Sequence, residues 1–94
     1  MSDLERVLTL TEQLLRIESV TGDEGELGDW LEARLRRCDP HTLVRAGHSL
    51  CFAMRPPDPG KKTLMLVGHT DTVPRSDPNE VRRDGDRLYG LGAS

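Results

Sequence analysis

Between Thr63 and Pro74 the chain carries four consecutive apolar residues, Leu64, Met65, Leu66 and Val67, with no polar position on either face. An unbroken run of this kind predicts a strand covered on both sides, as in a parallel sheet. Upstream, Leu4, Val7, Leu8, Leu14, Leu15 and Ile17 recur at helical spacing and predict an amphipathic helix over residues 2–18, opened by a Ser2/Glu5 capping box. Thr21 and Glu24 repeat the capping pattern, and Leu27, Trp30, Leu31 and Leu35 predict a second helix running to about residue 37, with Trp30 in the core. Its acidic residues come early and its arginines late, which suits the helix dipole. Asp39-Pro40 ends it, because the residue before a proline disfavours helical geometry. Residues 41–46 and 49–55 then predict two strands joined at Gly47-His48, with Leu50, Phe52 and Met54 alternating toward one face. Residues 56–62 and 75–79 are loops by their proline, glycine and aspartate content, and a second, solvent-exposed hairpin is expected around Asp84-Gly85.

The order helix, helix, hairpin, buried strand, strand predicts an α/β fold with a mixed sheet flanked by helices. Ninety-four residues make one small domain, which buries little more than about 60% of its unfolded surface. Hydrophobic residues are 35% and aromatics 3%, lean for a well-filled core, and the poverty fits a piece of a larger fold. The net charge of −3 is spread in mixed signs, so neither a nucleic acid nor a membrane is an expected partner. No apolar run approaches the roughly 20 residues of a membrane span, and the amino terminus lacks a signal-peptide pattern, so a cytoplasmic location is expected. Cys38 and Cys51 have no Cys-x-x-Cys spacing and read as reduced small hydrophobes.

The chemistry concentrates just after the apolar run, in Gly68, His69, Thr70 and Asp71. In open α/β sheets, ligands sit beyond the carboxyl ends of the strands. In extended chain, residues i and i+2 share a side, so His69 and Asp71 can face one cavity. A histidine that holds a metal needs its other ring nitrogen controlled, commonly by a carboxylate, and Asp71 is in place to do this. Taken alone, His-x-Asp is more often an ordinary loop pair. His41 and His48 fall at strand ends without a carboxylate at ligand spacing, and Arg82, Arg83, Asp84 and Arg87 read as a solvated hairpin. Gly90-Leu91-Gly92-Ala93 lacks the Lys-Ser/Thr of a phosphate loop, and its small residues suit close backbone approach near a metal site.

Residues 64–74, LMLVGHTDTVP, resemble the first signature of the zinc-dependent exopeptidase and amidohydrolase family that includes succinyl-diaminopimelate desuccinylase, acetylornithine deacetylase, aminoacylase and the glutamate carboxypeptidases. Residues 84–94, DGDRLYGLGAS, resemble the family's "DGxLYGRGxxDMKGG" segment up to its midpoint, with Leu91 where an arginine is frequent. Residues 14–24 are similar to the family's amino-terminal helix and the "iPSvsgdE" turn after it, so the likeness runs from about Leu4 to Ser94.

The resemblance implies the amino-terminal part of a zinc-exopeptidase-like catalytic domain, with residues 1–94 as a fragment of a metallohydrolase domain. It implies that His69 is a metal ligand and Asp71 a catalytic residue that steadies it. The family binds two zinc ions per site, with cobalt or manganese as alternatives, and hydrolyses acyl amides of small N-succinyl or N-acetyl amino acids or peptides. A homodimeric parent is compatible with that reading. The likeness breaks off at Ser94, before the family's metal-bridging aspartate and its Glu-Glu pair, so the 94-residue chain alone is expected to be inactive. Within the family, the segment around Tyr89 favours the desuccinylases over the deacetylases and carboxypeptidases. The alternative from another class is a truncated, non-catalytic module acting in protein interaction or dimerisation.

Overall fold

A computed structural model describes residues 1–75 and 81–93. The expected loop at 75–79 lies outside the described residues but for Arg75. Helix α1 spans Asp3–Arg16 and is capped by Ser2, whose Oγ accepts from the Glu5 amide at 3.1 Å. The other half of the box does not close, because the Glu5 carboxylate accepts from Arg83 Nη2 at 2.7 Å. Leu8 and Leu15, seven residues apart and so two turns along one face, are buried, whereas Leu4 and Val7 stay exposed.

Helix α2 spans Gly25–Arg36, with Leu27 and Gly28 buried and Trp30 half-buried. Strands β1 (Thr42–Ala46) and β2 (Ser49–Ala53) form the expected antiparallel hairpin, with Ala46 opposite Ser49 and Thr42 opposite Ala53. Its turn uses Gly47 at φ +60°, a left-handed conformation that glycine adopts without a Cβ penalty. Of the alternating residues, Leu50 is half-buried, and Phe52 and Met54 are exposed. Arg45 joins this hairpin to α2: its guanidinium donates to Asp29 at 2.5 Å and to Glu32 at 3.1 Å, and its Nε donates to the Gly47 carbonyl at 2.9 Å. The approach is close enough that a Cβ on Gly28 would lie 2.9 Å from Arg45 Nη2.

Strands β3 (Arg82–Asp84) and β4 (Arg87–Tyr89) make the second hairpin, turning at Gly85. Arg82 lies over the Tyr89 ring, 4.2 Å from its centroid. This hairpin packs on α1: Val81 is buried, and Gly90 lets the backbone come so near that a Cβ there would be 3.3 Å from a Leu15 methyl. Arg75 donates to the Leu15 carbonyl, satisfying an acceptor that the end of α1 leaves free.

The expected buried strand at 64–67 is not formed. Leu64, Met65, Leu66 and Val67 belong to no strand and are 84%, 72%, 88% and 84% exposed. The physical reason is that both hairpins close locally, each strand finding its partner across a short turn, whereas a central strand needs neighbours from distant sequence on both edges and cover on both faces. Among the described residues none pairs with this segment. Among the described residues the sheets are two separate antiparallel hairpins rather than one mixed sheet, and the parallel component is a single bridge between Val20 and Thr72.

Candidate active site around His69 and Asp71

That bridge organises the site. Thr72 N donates to the Ser19 carbonyl at 2.8 Å, and Thr21 N donates to the Thr72 carbonyl at 3.1 Å. The connector between α1 and α2 is thereby laced to the segment that carries the candidate residues. Ser19 is buried, at 4% exposure, so the lacing is anchored inside the molecule.

His69 Nδ1 lies 3.2 Å from Asp71 Oδ1 and 3.0 Å from the Asp71 carbonyl oxygen. Both neighbours are acceptors when the carboxylate is ionised, so a neutral ring carries its proton on Nδ1 and its lone pair on Nε2. The two side chains therefore meet as expected from their spacing, although no strand leads up to them, and the imidazole is largely exposed. On the far side of the carboxylate, Thr21 Oγ1 donates to Asp71 Oδ2 at 2.7 Å. That hydroxyl, chiefly, and the facing His69 hold the Asp71 carboxyl below the usual aspartate range, against partial desolvation, which acts the other way.

Thr21 is the residue that sequence reasoning missed. Its pairing with Glu24 predicts a capping box, but Glu24 is the N-cap of α2 without a side-chain cap bond, and its Oε1 accepts from the Gly22 amide at 2.9 Å. The Thr21 hydroxyl is instead used fifty residues away. No spacing rule reports a contact over that distance.

The second motif also reaches the site. Leu91 and Gly92 line a shallow hollow together with Thr21, His69, Asp71, Thr72 and Val73. Gly92 takes φ +88°, a left-handed conformation that glycine adopts freely, and a Cβ there would be in ordinary contact with the Thr72 methyl at 3.6 Å. His48 lies elsewhere, with Nε2 4.0 Å from Glu24, and Cys38 and Cys51 are free and exposed.

For a metal, the donor chemistry fits in part. His69 is largely exposed and has a carboxylate 3.2 Å from Nδ1, the usual backing of a ligating histidine. Among the described residues no three His, Cys, Asp or Glu side chains converge, so His69 and Asp71 do not by themselves make a metal site.

Sequence relatives support the family likeness over most of the chain. The chain is 38% identical to a succinyl-diaminopimelate desuccinylase of Cupriavidus necator, with 93% of this chain and 27% of that protein covered. It is 36% identical to the enzyme of that name from Verminephrobacter eiseniae, over 97% of this chain and 28% of the relative. A putative succinyl-diaminopimelate desuccinylase of Mycobacterium tuberculosis is 32% identical over 93% of this chain and 24% of its own length. These matches support membership of the wider exopeptidase and amidohydrolase family that includes the succinyl-diaminopimelate desuccinylases. It spans about a quarter of the length of these relatives. No family model matches the chain, and no solved structure matches it at a significant level. Within this chain, the His69–Asp71 pair and the Leu91-Gly92 turn are parts of the two motifs that meet in space. No helix among the described residues is long and apolar enough to cross a membrane.

Proposed function

We propose that this sequence serves a metal-dependent hydrolase that cleaves the acyl amide of a small N-acyl amino acid, the N-succinyl group of succinyl-diaminopimelate in first place. The observation that carries the reading is the engagement of His69 Nδ1 by Asp71 in a hollow that both residues line. Family membership supplies the reaction class and the acyl group, through the names of the relatives.

In this reading His69 contributes one ligand through Nε2. A bound zinc would supply Lewis acidity and a water whose pKa falls to about 7. Asp71 fixes the ring plane and the tautomer, and its negative charge raises the basicity of the ligating nitrogen. No glutamate lines the described hollow, so the proton-accepting role is left to a residue outside it. The low walls formed by Leu91, Gly92 and Val73 leave the hollow open to a small polar substrate. The apolar segment 64–67 is proposed to become a central strand of a mixed sheet once it gains neighbours, making residues 1–94 part of a catalytic α/β domain. A cytoplasmic setting and zinc, with cobalt or manganese as substitutes, complete the proposal.

The test is hydrolysis of N-succinyl-diaminopimelate and N-acetyl amino acids by the product of the whole coding frame that holds this sequence, with and without added zinc. Metal-dependent release of succinate supports the reading. Inactivity of the metal-loaded protein toward both substrate types refutes it.

A further inference from the structure

We infer that Thr21 is a positioning residue for the His69–Asp71 pair, holding the Asp71 carboxylate in the one orientation that presents Oδ1 to His69. The assignment rests on the proposed reading of His69 only for its catalytic meaning; the contact itself stands on geometry. A carboxylate turns readily about its Cβ–Cγ bond, and an aspartate whose second oxygen faced water could swing away from the ring. Here both oxygens are engaged from opposite sides: Oδ2 accepts from the Thr21 hydroxyl at 2.7 Å, and Oδ1 lies 3.2 Å from His69 Nδ1. A charge-assisted O–H···O bond at that distance is of the stronger kind.

Thr21 can do this because its own backbone is fixed. Its amide donates to the Thr72 carbonyl at 3.1 Å, and the Thr72 amide donates in turn to the carbonyl of Ser19, which is 4% exposed. The bridge therefore clamps the chain on both sides of Asp71's neighbour. The brace comes from the α1–α2 connector, a third part of the sequence beyond the two motifs. The arrangement is a linear series, Thr21 hydroxyl to Asp71 carboxylate to His69 ring, in which each member limits the freedom of the next.

The experiment reads the His69 ring directly, by two-dimensional 15N–1H NMR of the imidazole in alkaline buffer. The unmodified chain is expected to show the Nδ1–H tautomer. Thr21→Val keeps the side-chain shape and the backbone amide but removes the hydroxyl, and its ring signals are expected to move toward those of a free imidazole. Thr21→Ser restores the donor and is expected to restore the signals. Unchanged signals in Thr21→Val, or equal changes in both variants, overturn the inference. A measurement that needs no variant guards against misfolding: three-bond couplings to Thr21 Cγ2 in the unmodified chain are expected to report one χ1 rotamer, and averaged couplings overturn the inference. These readouts involve neither metal nor turnover. If the tautomer responds but no substrate is hydrolysed, the functional reading fails alone; if hydrolysis is found but the tautomer does not respond, the positioning role fails alone.

Discussion

Glu32 accepts from Arg36 Nη2 at 2.8 Å and from Arg45 Nη1 at 3.1 Å, so one carboxylate ties its own helix to the neighbouring hairpin. The hydrogen bonds from Arg36 and then Arg45 hold its carboxyl below the usual glutamate range. A group whose folded pKa is depressed adds stability that is present above its unfolded value, about 4.3, and is lost as pH falls through the folded value. Acid should therefore loosen the α2–hairpin joint at pH below about 4. Glu32→Gln is expected to lower stability at neutral pH and to flatten the acid limb of a pH–unfolding curve, measured by circular dichroism. An acid limb identical to that of the unmodified chain would show that Glu32 carries none of this linkage. The helical periodicity places Glu32 on a solvated face; its cross-element role follows from Arg45, thirteen residues away, and no helical repeat contains that pairing.

At the scale of elements, α1 is held to the second hairpin by Leu15 against Gly90 and by Arg83 on Glu5, and separately to the segment that follows the site by Arg75 on the Leu15 carbonyl. Leu15→Ala removes the central apolar contact of this layer. Because the core is thin and open, the cost should fall at the low end of the range for buried leucines, about 2 kcal/mol. Denaturant unfolding checks it, and a loss well under 1 kcal/mol would mean that the Arg83–Glu5 ion pair rather than Leu15 joins the two elements. Both helices and both hairpins were legible in the sequence because their determinants are local: apolar spacing, a serine cap, and Gly47 and Gly85 at the turns. Segment 64–67 was misread for the opposite reason, since apolar character states what a segment would bury against and not whether a neighbour is present. The Thr21/Glu24 box failed because α2 begins at Gly25 with Glu24 itself as N-cap, which puts Thr21 three residues ahead of the position from which a hydroxyl accepts the first helix amides. The contact between His69 and Asp71 was legible, and the bridge that places it was not.

Taken as a whole, the chain is open. Its radius of gyration is 15.3 Å, against about 12 Å for a compact domain of this length. Leu64, Met65, Leu66 and Val67 are exposed together, forming an apolar stretch of the kind that drives association. The 94-residue chain should self-associate as its concentration rises, and Leu66→Lys should reduce this in sedimentation velocity while leaving the helical signal unchanged. Concentration-independent monomers of the unmodified chain would contradict that expectation.

The central claim is that the imidazole of His69, held from behind by Asp71, faces a metal in an amide-cleaving enzyme. The most direct measurement is bound zinc per chain together with kcat for N-succinyl-diaminopimelate, made on the whole gene product and on its His69→Ala and Asp71→Asn forms. The account predicts that His69→Ala loses metal and nearly all turnover, and that Asp71→Asn lowers affinity or rate by about 10- to 100-fold, as changes behind a ligating histidine do. Full zinc content and undiminished turnover in His69→Ala would contradict it.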